Sequence, residues 1–433
     1  MRLRRGPLRS RNFRLLLGCD VVSVSGTAVA VVAIPFAVLA TGGSAADVGY
    51  VAAAGTLPVI VFLLAGGVLA DRMPRQRIMF AANVLQAMAQ GAAAALVLTG
   101  TARVGELVAL AAARGVGVGL YFPAAQGLLP QTVPASQLAQ ANAVSRVGRN
   151  SAQIAGTALG GVLTGLAGPG WGLAADAVSF AIAAALRTGM RFPASPPRRA
   201  TSMLHDLAEG WRDFISRRWL WAIVVQFSFF IAIVTATTSV LGPLVAHARL
   251  GGAQSWGAIM AAYSAGAVLG GLVLLRLRPR RLLLAASLSV PAFSLLLFAL
   301  AVPLAVPLIA AAGCVAGGCL EVFNVNWAVA MQQEIEPGML SRLSSYDALG
   351  SWALAPAGAA AAGPAAAAVG GQAVLAGSGV LVIALTAAVL CVPEVRQLRR
   401  RSPADDPPGP GTTAPRPGVP GPAASPAPGE AAG

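Results

Sequence analysis

One short charged stretch between two long apolar ones decides how the rest of this chain is interpreted. It consists of Gly67-Val68-Leu69-Ala70-Asp71-Arg72-Met73-Pro74-Arg75-Gln76-Arg77. Residues 47–70, whose last four belong to this stretch, and residues 78–99 after it are each long enough to cross a bilayer as a helix, which takes roughly 20 residues. The pattern therefore predicts two antiparallel membrane helices joined by a tight loop, with the arginines held at the polar surface.

The composition of the whole chain also indicates a membrane protein. Hydrophobic residues make up 56% and charged residues 11% of the 433 residues, less than half of the roughly 25% charge that is usual in soluble domains. The basic residues are all arginines, and 31 of them against 16 acidic residues give a net charge of +15. Because they lie between apolar spans, an anionic membrane surface is favoured over nucleic acid as their partner.

Apolar stretches long enough to span the membrane recur along the chain. We place them near 15–40, 47–70, 78–99, 105–129, 144–167, 171–189, 219–246, 253–275, 281–301, 304–330, 343–365 and 370–392. The first stretch is too long for a signal peptide and has no small-residue cleavage site, so we expect it to be retained. The chain is thus predicted to be an all-α membrane protein with twelve transmembrane helices.

Arginine placement predicts the orientation of these helices. Arginines cluster before the first span, after the second, in the linker between the halves, after the eighth and after the twelfth. With twelve spans, all these clusters fall on one side of the membrane, and few arginines beyond Arg103 and Arg249 remain on the other. The positive-inside rule makes that side, and both termini, cytoplasmic. The chain is predicted to begin with an N-terminal segment (1–14) and a first six-helix bundle (15–189). A linker with an amphipathic helix (190–218) leads to a second six-helix bundle (219–392). A disordered tail rich in proline, alanine and glycine (393–433) follows.

The loop at 67–77 resembles the loop between the second and third helices of the major facilitator superfamily of secondary transporters. The resemblance implies the major facilitator fold, with two six-helix bundles around a central cavity. It also implies a conformational gate formed by Gly67, Asp71, Arg72, Arg75 and Arg77. Pro74 stands where the family usually has glycine, and in the second copy of the loop, at 271–281, Leu275 replaces the aspartate.

Other segments resemble the bacterial exporters grouped with the enterobactin exporter and macrolide efflux proteins; they lie at 11–15, 122–130, 141–143, 176–180, 322–327 and 342–347. This resemblance implies a bacterial plasma membrane protein that exports a small amphipathic molecule (a drug, an antibiotic or a siderophore) by alternating access, with protons as the driving ion. Thr157 replaces the proline of the helix-five motif in proton antiporters. Within transport, uptake or sodium coupling stays open as an alternative. The alternative from another class is a transport-deficient membrane binding or regulatory protein with the same fold.

Ionisable residues inside apolar spans are costly and usually functional. Asp20, Arg114, Asp176 and Glu321 are of this kind. The family resemblance implies that helices one, four, seven and ten line the cavity, which makes Glu321, Asp20 and Arg114 the proton-coupling candidates, in a loose triad across both halves. Desolvation favours a neutral carboxyl and a nearby arginine opposes it, so such a site can take up and release a proton. Asp176 is predicted to be a capping residue near the outer end of helix six.

Polar and aromatic residues on the cavity helices are the predicted substrate contacts, namely Asn324, Trp327, Gln226 and Tyr121. Two small-xxx-small pairs, Gly156 with Gly160 and Gly266 with Gly270, predict close helix contact across the two halves.

Several other classes of function are disfavoured. The chain has no lysine, so it lacks a phosphate loop of the kind that couples ATP. Its four cysteines form no CxxC and no metal-ligand spacing with histidine. We predict neither an enzyme nor a protein with a cofactor or metal. The expected partners are a small-molecule substrate, protons and the lipid bilayer, and we expect a monomer.

Overall fold

The computed structural model describes most of the chain, at residues 6–126, 128–190, 211–277, 279–302 and 304–400. Within these ranges, side chains are described except at 63–72, 123, 126, 135, 337–338 and 340–342. The described residues form long helices and one isolated antiparallel bridge between Arg281 and Arg399. The prediction of an all-α membrane protein is confirmed.

The helices divide into two consecutive sets of six. The first half consists of α1 (Arg11–Ala40), α2 (Ala45–Arg72), α3 (Arg75–Leu98), α4 (Val104–Gln126), α5 (Leu138–Ala167) and α6 (Pro169–Thr188). The second half consists of α7 (Arg218–Arg249), α8 (Ala253–Arg276), α9 (Leu282–Ala301), α10 (Val306–Glu334), α11 (Pro337–Trp352 and Ala355–Val369) and α12 (Gly371–Leu390).

Among the described residues, eleven helices are long and apolar enough to cross a membrane. The helix outside this set is α5, which carries Arg146 and Arg149 among other polar side chains. It nevertheless packs along α1 and α8 inside the bundle. Its two arginines are polar residues with a role in the bundle, because each pairs with a carboxylate on another helix.

Three helices of the second half are interrupted near prolines. A π-helical turn, Thr237–Leu241, lies in α7 just before Pro243. In α9 a 3-10 turn surrounds Pro291, and α11 breaks just before Pro356. Proline has no amide hydrogen to donate to the preceding turn, so each helix changes its hydrogen-bonding pattern at that point.

The predicted glycine contacts hold helices together within each half, so the expectation of contact across the halves is wrong. Gly156 and Gly160 lie against α1, near Ser25 and Val29. Gly266 and Gly270 lie against α10, near Cys314 and Gly318. Small residues let backbones approach closely, but the spacing does not say which helix supplies the partner.

Contact between the halves involves a different glycine pair, Gly161 on α5 and Gly257 on α8. A Cβ atom added at Gly161 would lie 2.8 Å from the Cα atom of Gly257. At this level, neither helix has room for a side chain larger than hydrogen.

The two halves meet mainly at one end of the bundle. Besides α5 and α8, α2 packs on the second segment of α11, where Gly49 approaches the backbone of Ala359. The opposite end of the bundle holds Ser10, which precedes α1, and the C-terminal part of the chain, so we call it the termini end. The end at which the halves meet is called the far end. Among the described residues, α2 makes no comparable contact with the first segment of α11, Pro337–Trp352. The cleft between the halves therefore opens toward the termini end.

The linker and tail are described only in part. Residues 191–210 lie outside the described residues, as does most of the predicted amphipathic helix, while 211–216 are helical. Residues 401–433 also lie outside them. Residues 393–400, predicted to belong to a disordered tail, are ordered: helix α13 (Pro393–Gln397) precedes a segment in which the amide of Arg400 donates to the carbonyl of Arg280 at 2.8 Å. The fully buried Val395 holds this segment to the second half.

Candidate functional site

Asp20 on α1 lies in a polar network within the first half. Its Oδ2 atom is 3.3 Å from Nη1 of Arg149 on α5, and the hydroxyl of Tyr121 on α4 donates to its Oδ1 atom at 3.2 Å. Arg187 on α6, only 1% exposed, in turn donates to the Tyr121 hydroxyl at 2.6 Å. Four helices therefore converge on this carboxylate.

Glu321 on α10 forms the corresponding contact across the cleft. Nη2 of Arg146 donates to its Oε1 atom at 3.0 Å. The Arg146 side chain is 62% exposed and that of Glu321 is 18% exposed, so the pair borders open space. Arg146 and Arg149 are one helical turn apart on α5, and they bind carboxylates from opposite halves.

Arg114 does not join Asp20 and Glu321, so the predicted triad is wrong. Its Nε atom lies 3.7 Å from Oδ2 of Asp176, which also accepts a hydrogen bond from Gln90 at 2.7 Å. Asp176 is fully buried in the middle of α6, so its predicted role as a helix cap is wrong too. A carboxylate buried at this depth requires a counter-charge, and Arg114 provides it.

Two cavities among the described helices are lined mainly by the first half, and Ser239 of α7 also borders the first of them. The first, of about 160 Å³, is mostly apolar, with the side chains of Gln90 and Arg114 in its wall. The other, of about 190 Å³, has Thr27, Gln86 and Tyr121 in its wall. Tyr121 lines this second cavity, and its role as a substrate contact stays a prediction.

The other three predicted substrate contacts occupy different environments. Asn324 is exposed one helical turn from Glu321, and its role as a substrate contact stays a prediction. Gln226 is buried and donates to Thr386 at 2.9 Å, joining α7 to α12. Trp327 is 9% exposed, and its Nε1 atom donates to Asp347 at 3.0 Å. The structure therefore does not place Gln226 in the cleft, and it turns the indole of Trp327 toward α11.

Sequence reasoning missed Arg146, Arg149 and Asp347. The two arginines stand three positions apart in the predicted span 144–167, and a pair of charges inside a predicted span was the available signal. Asp347 lies inside the predicted span 343–365, where any carboxylate is a candidate functional residue.

The gate loop is described only partly. Helix α2 continues through Gly67, Asp71 and Arg72, but these three side chains lie outside the described residues. Arg75 and Arg77 belong to the first turn of α3. Gln76 between them donates to the carbonyls of Arg187 and Met190, at 2.8 and 2.9 Å. The start of α3 is thus fixed to the end of α6.

Two six-helix halves that enclose a cleft, with charged side chains inside apolar spans, define a membrane protein of the major facilitator fold. Among solved structures, the nucleoside transporter NupG is similar with a TM-score of 0.69 and 14% identity, covering 88% of this chain and 98% of that one. The D-xylose-proton symporter is similar with a TM-score of 0.61 and 15% identity, covering 88% and 96%. At these identities the similarity shows the fold alone.

The chain belongs to the transmembrane secretion effector family, which matches residues 4–410. It is 31% identical over 166 residues to the multidrug efflux pump Tap of Mycolicibacterium fortuitum, a match covering 37% of this chain and 39% of Tap. It is 34% identical over 107 residues to the MFS-type transporter YfiS of Bacillus subtilis (strain 168), covering 25% of this chain and 24% of YfiS. The matches thus span about two fifths and one quarter of these relatives.

Proposed function

We propose that this protein is a secondary active transporter that exports a small amphipathic molecule, such as a drug, an antibiotic or a siderophore, by alternating access coupled to protons. The observation that carries the proposal is the ion pair between Arg146 and Glu321, which crosses a cleft closed at the far end and open at the termini end. The name of the relative Tap, a multidrug efflux pump, supports export as the direction.

The position of this pair suggests how a proton affects the cleft. Arg146 belongs to the first half and Glu321 to the second, so their attraction acts directly on the distance between the halves. Protonation of Glu321 removes its charge and hence most of that attraction. Proton occupancy and conformation are then linked, because a proton binds better to the state in which the pair is broken.

Asp20 and Arg114 are weaker candidates for this coupling. The pair between Asp20 and Arg149 and the pair between Arg114 and Asp176 both lie within the first half. Titration of either carboxylate leaves the contacts between the halves unchanged to first order. We therefore assign proton coupling to Glu321 and, in the first half, positioning of the cavity walls to Arg114.

Substrate efflux from membrane vesicles under an imposed pH gradient tests the proposal. The Glu321→Gln variant keeps the shape and hydrogen bonding of the side chain but cannot titrate, so it should bind substrate and fail in pH-driven export. Glu394→Gln, an exposed substitution of the same type on α13, is the matched control and should export normally. Full pH-driven export by Glu321→Gln would transfer the coupling role to Asp20. If Asp20→Asn also exported normally, proton-coupled export would be refuted.

A further inference from the structure

Asn83 on α3 is a polar residue inside a span that its neighbours leave unsatisfied. Its side chain is fully buried, and neither Oδ1 nor Nδ2 has a hydrogen-bond partner among the described residues. It lies about 12 Å along α3 from Arg75, well within the length of the helix. The large majority of buried polar side-chain atoms are hydrogen-bonded, because desolvation without a partner is costly. The Asn83 carboxamide is therefore available to a ligand that supplies both a donor and an acceptor.

The Asn83 carboxamide borders the second cavity, of about 190 Å³. Gln86, one turn further along the same face of α3, lies in the same wall and is 3% exposed. Its Nε2 atom donates to the carbonyl of Ala82 at 3.2 Å. A Cβ atom added at Gly117 of α4 would lie 2.6 Å from Cγ of Gln86, so α4 approaches closely enough to confine this side chain. Two carboxamides of α3 thus belong to the wall, and one of them is held in position by α4.

The remainder of the wall is neutral and largely apolar. Val24, Val118 and Phe180 provide apolar side chains, and Thr27 of α1 provides a hydroxyl group. None of the described residues that line this cavity carries a charge. An ion placed there would lose its hydration without gaining a counter-charge, so the wall favours a neutral ligand.

Gln153 of α5 connects this cavity to the cleft. It lines the cavity and is half-buried. Arg149 precedes it by one helical turn and Arg146 by two, so the three side chains lie on one face of α5. Arg146 is 62% exposed and pairs across the cleft with Glu321. A ligand in the cleft therefore reaches the cavity past Gln153.

The Asn83 carboxamide also sets the chemistry of the ligand. A carboxamide presents an N–H donor and a C=O acceptor side by side. Its complement is a group with the same pair in the reverse order, such as the cis amide of a lactam or a primary amide. Asparagine recognises the adjacent donor and acceptor of adenine in this way.

We infer that the second cavity is a binding site for a neutral lactam or primary amide. Asn83 and Gln86 pair with the amide, and Phe180 contacts the ring or chain that carries it. The inference names a ligand class for the proposed exporter, and it rests on the proposed function only in treating the ligand as cargo.

Two probes that differ in one hydrogen-bond donor test the site. Carbostyril is a neutral bicyclic lactam, and N-methylcarbostyril keeps its ring and carbonyl but lacks the N–H donor. Each is brought to equilibrium by dialysis with the purified full-length protein in neutral detergent, and protein-free micelles correct for uptake by the detergent. The wild-type protein should bind carbostyril about tenfold or more tightly than its N-methyl derivative.

Two variants locate this preference. Asn83→Leu removes the carboxamide at similar volume, so it should bring the two affinities to within about twofold of each other. Asn142→Leu is the matched control, because Asn142 is an exposed residue of α5 whose Nδ2 atom donates to Leu138 of the same helix at 2.9 Å. This control should keep the full preference for carbostyril.

Equal affinity of the wild-type protein for the two probes would overturn the inference, as would a lack of saturable binding, which would leave the cavity to water. A full preference in a folded Asn83→Leu protein would place the lactam elsewhere and overturn it too. If Asn83→Leu cannot be purified, Gln86→Met replaces it and should reduce the preference at least about threefold; an unchanged preference there counts equally against the site. No gradient is imposed, so intact lactam binding with failed export would refute the proposed function alone, and normal export without lactam binding would refute this inference alone.

Discussion

Nη2 of Arg146 and Oε1 of Glu321 lie 3.0 Å apart and join α5 of the first half to α10 of the second. Reversing one of these two charges would place like charges opposite each other, so the two halves should repel each other at this level. We expect Arg146→Glu to reduce export by more than about tenfold, because facing like charges cost several kcal/mol. Arg146→Gln should be milder. The double variant Arg146→Glu with Glu321→Arg restores opposite charges, so it should again bind substrate. It should still fail in pH-driven export, because it lacks the Glu321 carboxylate. Wild-type export by Arg146→Glu, measured in vesicles, would show that the pair does not control the cleft.

The buried pair between Arg114 and Asp176 should stabilise the first half. Asp176→Asn leaves the Arg114 guanidinium without a counter-charge, and loss of one partner of a buried pair costs about 3–5 kcal/mol. Arg114→Gln combined with Asp176→Asn removes both charges and should recover part of that loss. Denaturant unfolding in detergent micelles measures both. A double variant no more stable than Asp176→Asn would contradict this interpretation of the pair.

The close approach of Gly161 and Gly257 should hold the far end closed. Gly257→Ala places a Cβ atom 2.5 Å from the Cα atom of Gly161, so the two helices must separate. Spin labels on Thr101 and Leu304, in far-end loops of opposite halves, should then report longer distances. Gly377→Ala is the control, because a Cβ atom there meets nothing within 4 Å. An unchanged distance distribution in Gly257→Ala would show that the far end is held by other contacts.

The orientation of the chain remains a prediction from arginine placement. Reporter fusions at Arg199, at Arg280 and at the C-terminus should behave as cytoplasmic, and a fusion at Gly252 should behave as external. The cleft described above then opens to the cytoplasm. An external signal from the Arg280 fusion would contradict the twelve-span topology.

The loop between α2 and α3 is expected to act as a conformational gate. Asp71→Asn removes a charge that the family resemblance assigns to contact with a helix end or an arginine. The variant should reach the membrane at wild-type level and export more slowly, as judged by vesicle efflux normalised to protein. Equal export would leave the loop with a topological role alone.

The sequence predicted the helices well because membrane insertion depends on local composition. A segment such as 15–40 or 253–275 must satisfy its backbone hydrogen bonds internally, so its apolar length is enough to identify it. The exception is instructive: α5 is polar on one face because Arg146 and Arg149 serve carboxylates on α1 and α10.

Only the tertiary structure decided which charges meet. Asp176 and Arg114 are brought together by the packing of α6, α3 and α4, and Glu321 meets Arg146 only because the halves face each other. The glycine spacings likewise indicated close contacts without naming their partners. Span length and end charge are local properties that a chain carries in its composition. Pairing depends on how helices rotate and cross, and this is fixed only when the whole bundle packs.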